Sequence, residues 1–294
     1  MMTRLALVLM WLLHFLPLPL QATLGRGLGL LLYWLVGKRR RIALTNLRLC
    51  FPQLSEAERN TLVRRHFAVF GRSFIERGLL WWASPARLRR IVRVEGMQHL
   101  DAQSGRPVIL LVPHFVGLDM GWTRLTLERD MVSIYANQKN LLFNAALYRG
   151  RLRFGNSQLL SRQQGTRPAL RAMRSGMPFY YLPDMDYGER DTIFVPFFGV
   201  PAATITGLSR LARMGKAVVL PVITRMLPGG RGYVVEIQAP WTDFPGESIE
   251  ADTRRMNAYI ENEVLKLPEQ YFWLHKRFKT RPPGESGHYE KKRD

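Results

Sequence analysis

The chain is poor in cysteine, in acidic residues and in long uninterrupted apolar runs. Cys50 is its single cysteine among 294 residues. No internal disulfide can form, which fits a reducing compartment. Cysteine and histidine nowhere share metal-ligand spacing, so no metal is expected. No cofactor is expected either. Gly229-Gly-Arg-Gly232 has neither phosphate-loop nor dinucleotide spacing and reads as a tight turn or hairpin before a strand. The Gly-x-Ser-x-Gly elbow is missing, which removes a hydrolase-type serine nucleophile. There is no internal repeat and no long low-complexity linker. Acids number 23 against 43 Lys and Arg, a formal net charge of +20. Such an excess calls for an anionic partner: nucleic acid, anionic lipid or an acidic protein.

The amino terminus separates those partners. Leu5 to Leu20 is almost wholly apolar, broken by His14, Pro17 and Pro19. A second apolar run covers Gly27 to Val36, and Lys38-Arg-Arg-Arg41 follows. The first run falls a little short of the roughly 20 residues a spanning helix needs, and its prolines would kink or end it. The reading is a retained membrane anchor over residues 1–37, spanning or half-inserted. A cleaved signal peptide fits less well, because the basic cluster is on the carboxyl side and no small-x-small cleavage site is evident. That cluster places the body on the cytoplasmic side and favours anionic headgroups by about 1 kcal/mol per cation. An apolar start also argues against nucleic acid as partner.

The remainder reads as one α/β domain over residues 38–285, with a mobile basic tail at 286–294. Ser55-Glu-Ala-Glu58 is a capping box. It opens a helix reaching about Trp82, with Leu62, Phe67, Phe70, Phe74 and Ile75 inward. Arg64, Arg65, Arg72 and Arg77 lie on a solvated face, and His66 reads as structural. Strands are predicted at Ile91–Val94, Val108–Val112, Met131–Tyr135, Phe179–Leu182, Ala217–Ile223 and Tyr233–Ile237. Helices fall between most of them, at Leu118–Glu128, Leu141–Arg151, Thr166–Ser175 and Ile205–Met214, with a last one at Ala251–Lys266. Alternation of this kind predicts a largely parallel central sheet flanked by helices.

Chemistry concentrates at Val108–Trp122. An apolar strand ends at Pro113, His114 follows, and Asp119 comes five residues later. His114 then stands at the carboxyl end of a strand, where open α/β sheets place their ligands. If the loop folds back, the Asp119 carboxylate can hold one imidazole nitrogen and leave the other as a base. A buried histidine satisfied by a nearby acid is, on this pattern alone, an equally good reading.

His-x-x-x-x-Asp after an apolar strand resembles the signature of glycerolipid and lipid A acyltransferases. Other segments carry the resemblance in order: Arg149–Gly155, Leu182–Arg190, Ile193–Gly199, Ala202–Arg210 and Gln270–Pro282. Together they cover roughly residues 5–285 and resemble the bacterial lipid A biosynthesis acyltransferases. The resemblance implies a glycerolipid-acyltransferase-like fold and a membrane enzyme of lipopolysaccharide biosynthesis at the inner membrane, facing the cytoplasm. It implies an acyl carrier protein thioester as donor, with lauroyl as the expected chain on overall resemblance. The acceptor would be a hydroxyl of a 3-hydroxyacyl chain on a Kdo-bearing lipid A precursor. His114 and Asp119 would be catalytic, with the oxyanion on backbone amides near Gly117. Phosphates on the acceptor call for arginine forks: Arg151, Arg153, Arg162 and Arg190 are the candidates, Lys139 a weaker one. Asp184 and Asp186 would orient an arginine or a polar sugar. The rival readings are another lipid acceptor (a glycerophospholipid, glycolipid or amino-acid lipid) and a membrane-binding protein without catalysis.

Overall fold

A computed structural model describes residues 2–289. Helices come first: α1 (Met2–Leu13), α2 (Leu18–Leu35), α3 (Gly37–Cys50), α4 (Glu56–Ile75), α5 (Arg77–Trp82) and α6 (Pro85–Ile91). Strands and helices then alternate through β1 (Val92–Glu95), α7 (Met97–Asp101), β2 (Val108–Leu111), α8 (Leu118–Leu125), β3 (Val132–Tyr135), α9 (Leu141–Arg151), β4 (Gln158–Ser161), α10 (Arg167–Arg174) and β5 (Phe179–Tyr181). A hairpin of β6 (Thr192–Phe197) and β7 (Val200–Ile205) precedes α11 (Gly207–Gly215), β8 (Val218–Met226), β9 (Tyr233–Ile237) and α12 (Ile249–Lys266).

The main sheet has the order β1-β9-β8-β2-β5-β3-β4. Its core, β8-β2-β5-β3-β4, is parallel, while β9 pairs with β8 antiparallel and β1 runs with β9. The central strand β2 is buried on both faces, as its unbroken Val-Ile-Leu-Leu run requires. One core layer holds Ile109, Leu111, Phe179 and Trp273; the other holds Val108, Leu110, Tyr180 and Leu220. Gly229-Gly-Arg-Gly232 is the turn of the β8–β9 hairpin, as the sequence predicts.

The expected amino-terminal membrane anchor is overturned. No helix among the described residues is long and apolar enough to cross a membrane. Helix α1 has 12 residues, about 18 Å at helical rise, against a hydrocarbon core of about 30 Å. Pro17 ends the run, and α2 carries Gln21, Thr23 and Arg26. One side of α2 is packed on α4. A Cβ at Gly29 would stand 2.0 Å from the Phe67 carbonyl oxygen, and one at Gly71 would stand 2.2 Å from the Gly25 carbonyl oxygen. Backbones this close admit no side chain. Gly71→Val should therefore cost about 3 kcal/mol of stability, the upper end for overpacking, and so lower the denaturant midpoint. An unchanged midpoint would show that α2 is not fixed to α4.

The long helix expected from Ser55 starts with the capping box, but it breaks at Glu76. Two of the arginines read as a solvated face are buried or paired. Arg72 Nε donates to Glu76 Oε1 at 2.9 Å, and Tyr233 Oη donates to the other Glu76 oxygen. Phe74, expected inside, is exposed. Of the expected tail, Tyr289 is docked: its hydroxyl accepts from Phe278 N at 3.1 Å and donates to Asn46. Lys291, Lys292 and Arg293 lie outside the described residues.

His66 is structural, as its lack of a motif suggests. Nδ1–H donates to the Glu269 carbonyl at 3.0 Å, and Nε2 is buried without a partner. Burial pushes its pKa down to about 4. An unfolded imidazole takes its proton near pH 6.5, so the folded state binds fewer protons between those values. Stability is full above pH 6.5 and falls as pH drops toward 4, by about 3 kcal/mol from this group. Urea titrations across that window should show the decline, and His66→Gln should flatten it. Equal slopes in the two proteins would remove His66 as the cause.

Candidate active site

Two neighbouring parallel strands deliver the central pair. In the β2–β5 register, Leu111 stands opposite Tyr181. His114 lies three residues past the first and Asp184 three past the second, each directly after a proline. The two side chains therefore leave the same edge of the sheet together. Asp184 Oδ1 accepts from the His114 ring at Nδ1, 2.6 Å away, and Oδ2 accepts the His114 backbone N–H at 2.8 Å. The carboxylate is 0% exposed while the imidazole is 17% exposed. Burial pushes the Asp184 carboxyl up, but His114, by charge and by hydrogen bonds, and Arg277 more distantly outweigh it and hold the group below its ordinary range. An ionised carboxylate can only accept, so Nδ1 carries a proton, and in the neutral ring the lone pair is on Nε2. No described residue occupies Nε2.

This corrects the expected role of Asp119. The loop does not fold back onto the imidazole. Asp119 Oδ1 accepts from Arg151 Nε at 3.1 Å and Nη2 at 2.7 Å, and Oδ2 accepts from Arg77 Nη1 at 3.1 Å. Burial raises its carboxyl, and the charges of Arg151 and Arg77 more than reverse that. Two guanidinium groups around one carboxylate leave a surplus positive charge at the start of α8. Arg77, read from sequence as solvated, was missed because its partner lies 42 positions away.

The other expected ligand residues are scattered in role. Asp186 is not open to a sugar or an arginine: its oxygens accept from Thr280 N (2.6 Å), Thr280 Oγ1 (2.8 Å) and Gly188 N (3.0 Å). Asp184 is likewise spent, on His114. Arg153 donates to the carbonyls of Leu80 and Ala83 at the end of α5, a structural cap. Arg162 stacks over the Tyr187 ring at 4.4 Å. Arg190 is 97% exposed and reaches Asp191 alone, at 3.6 Å, so neither Asp184 nor Asp186 orients it. Lys139 is an exposed loop residue. The aromatic run Ile193–Phe198 forms the β6 side of a hairpin that the sequence reading did not resolve.

The carboxyl-terminal block runs directly past His114. Val116 N donates to Gln270 O at 2.8 Å, Phe272 N donates to His114 O at 2.9 Å, and Phe115 bridges Tyr271. Of the amides expected to face an oxyanion, those of Val116 and Leu118 are spent on Gln270 O and Phe115 O, and that of Gly117 has no partner among the described residues. The buried Cys50 thiol has its pKa pushed up by burial, so it is poorly suited to nucleophilic attack.

Comparison with known proteins places the chain in a family. The family model described as bacterial lipid A biosynthesis acyltransferase matches residues 1–280. A lipid A biosynthesis lauroyltransferase of Escherichia coli K12 is 37% identical over 291 residues, covering 98% of this chain and 94% of that one. A palmitoleoyltransferase of the same strain is 34% identical with the same coverage, and a myristoyltransferase is 34% identical over 93% of this chain and 84% of its own. A conserved-length match of this kind, on an α/β sheet presenting His114 at its carboxyl edge, makes the protein an acyltransferase, and the chain belongs to the bacterial lipid A biosynthesis acyltransferase family.

Proposed function

We propose that the protein moves a fatty acyl chain from an acyl carrier protein thioester to a hydroxyl on a 3-hydroxyacyl chain of a Kdo-bearing lipid A precursor. One observation carries the reading: an accessible imidazole whose Nδ1–H is fixed on a buried carboxylate, with Nε2 unoccupied. In the reaction, Nε2 takes the proton of the acceptor hydroxyl as its oxygen attacks the thioester carbonyl carbon. The carbonyl electron pair moves onto oxygen. When the tetrahedral intermediate collapses, the C–S bond breaks and the thiolate leaves with the proton held by His114. Asp184 fixes the tautomer and stabilises the imidazolium. The surplus charge of Arg77 and Arg151 on Asp119 supports a phosphate-bearing acceptor. The excess of 43 cations over 23 acids supports an acidic carrier protein as donor.

A seat on the cytoplasmic face of the inner membrane is part of the same reading. Helices α1 and α2 and the turn between them expose Leu5, Leu9, Trp11, Phe15, Leu31 and Trp34. Arg40 and Arg64 both stack on Tyr33, at 5.0 and 5.3 Å, beside the basic run Lys38–Arg41. Apolar surface rimmed by cations supports contact with anionic lipid without a crossing helix. Purified protein, given carrier-protein thioesters of 12, 14 and 16 carbons and the precursor lipid, should form acylated product, the 12-carbon donor fastest. Mass spectrometry reads the added mass. No product with any donor would reject the reaction, and a faster 14- or 16-carbon donor would reject the lauroyl preference.

A further inference from the structure

We propose that His275 is a second catalytic residue, a hydrogen-bond donor of fixed tautomer that receives the thioester oxyanion on Nδ1–H. The inference rests on the acyl-transfer reading above and supplies a part that His114 cannot.

The segment Asp184–Asp186 holds two imidazoles in opposite senses. At Asp184 the protein accepts from a ring, leaving His114 with a free acceptor. At Asp186 it donates to a ring: the backbone N–H points to His275 Nε2 at 3.1 Å. A backbone N–H can only donate, so His275 Nε2 must carry the lone pair and Nδ1 the proton. The ring is held neutral, its pKa lowered to about 4 first by burial and then by the nearby His114 and Arg277. Neutrality matters, because an imidazolium would lose the acceptor that Asp186 N–H occupies.

Backbone contacts bring this segment to the site. Phe272 N holds the His114 carbonyl, Tyr271 bridges Phe115, and the Tyr271 hydroxyl approaches the Asp184 carbonyl at 3.5 Å. The strap is pinned from behind by Asn46, whose side-chain amide donates to the carbonyls of Trp273 (2.8 Å) and His275 (2.7 Å). Nδ1 of His275 has no partner among the described residues, is not among the buried unsatisfied atoms, and belongs to a ring that is only partly buried. A neutral donor with an unfilled position, on the segment whose Phe272 N–H holds the His114 carbonyl, matches the second demand of the reaction as His114 matches the first. One group takes the hydroxyl proton. The other meets the charge that develops on the carbonyl oxygen, where a preorganised donor is most effective.

The test uses the full-length protein, a 12-carbon acyl carrier protein thioester and the Kdo-bearing precursor. His275→Ala should lower kcat by about 10²–10³-fold, the usual loss for one oxyanion donor, with both KM values within about threefold. His275→Asn should recover to within about tenfold of wild type, because its amide Nδ2 lies near the position of Nδ1. A purely structural role would not be rescued by this shorter side chain. In the wild-type protein, 15N spectra of the histidine rings at pH 7 should show His275 protonated on Nδ1. A His275→Ala kcat within threefold of wild type, an Asn variant as slow as the Ala variant, or a ring protonated on Nε2 would each overturn the proposal. If His114→Ala is inactive while His275→Ala is not, this inference alone fails. If His114→Ala is active, the base reading fails first.

Discussion

His114→Ala should lower acyl transfer by about 10⁴-fold while the protein stays folded. General-base catalysis contributes about 10²–10⁴-fold, and here no other described group stands on the same lone pair. The fold should tolerate the change. The ring is partly open to solvent, and Asp184 keeps the backbone N–H of residue 114 as a partner. Losing the ring leaves one oxygen of a buried carboxylate without its donor, at a cost of about 1–3 kcal/mol. The two effects are read separately, by product formation from purified protein and by the thermal midpoint. Transfer at the wild-type rate would show that the proton leaves by another route.

Asp184→Asn comes next, at about 10³-fold in kcat, and it discriminates between two acids. An amide at 184 can present its NH2 to Nδ1. The imidazole would then carry its proton on Nε2 and could no longer accept one from the hydroxyl, the logic by which the triad aspartate of serine proteases acts. Asp119→Asn leaves the imidazole contact alone. It weakens the hold on Arg77 and Arg151, so its first effect should be on stability, about 3 kcal/mol for a mostly buried pair. Its kcat, measured on folded protein, should stay at least tenfold above that of Asp184→Asn. The opposite order, with Asp119→Asn folded but the slower of the two, would return the orienting role to Asp119.

The sequence shows why Asp119 was the natural choice. Its spacing from His114 is visible by inspection, whereas Asp184 becomes a neighbour only through the β2–β5 register, 70 positions apart. One signal was available. Leu-Val-Pro-His and Tyr-Leu-Pro-Asp close two apolar strands in the same way, and adjacent parallel strands bring equal offsets side by side. The alternation of strands and helices was legible because β2 and β5 are short apolar runs closed by proline. Strand β4 and the β6–β7 hairpin were not resolved: Gln158–Ser161 is short and half polar, and Thr192–Phe197 reads equally well as core. Hydropathy alone made residues 1–37 an anchor. What it could not register is that Gly25, Gly29 and Gly71 let α2 lie backbone to backbone on α4, so one side of that apolar run faces protein.

The strap from Gln270 to Lys276 has a consequence for biosynthesis. Residues from the last tenth of the chain lie against His114 and complete the surroundings of a strand translated long before them. A nascent polypeptide that has already paired β2 with β5 and β8 still lacks Tyr271, Phe272 and His275. A chain stopped after Pro268 should therefore transfer no acyl group, and it also loses Trp273 and Phe278 from the core layer beneath the sheet.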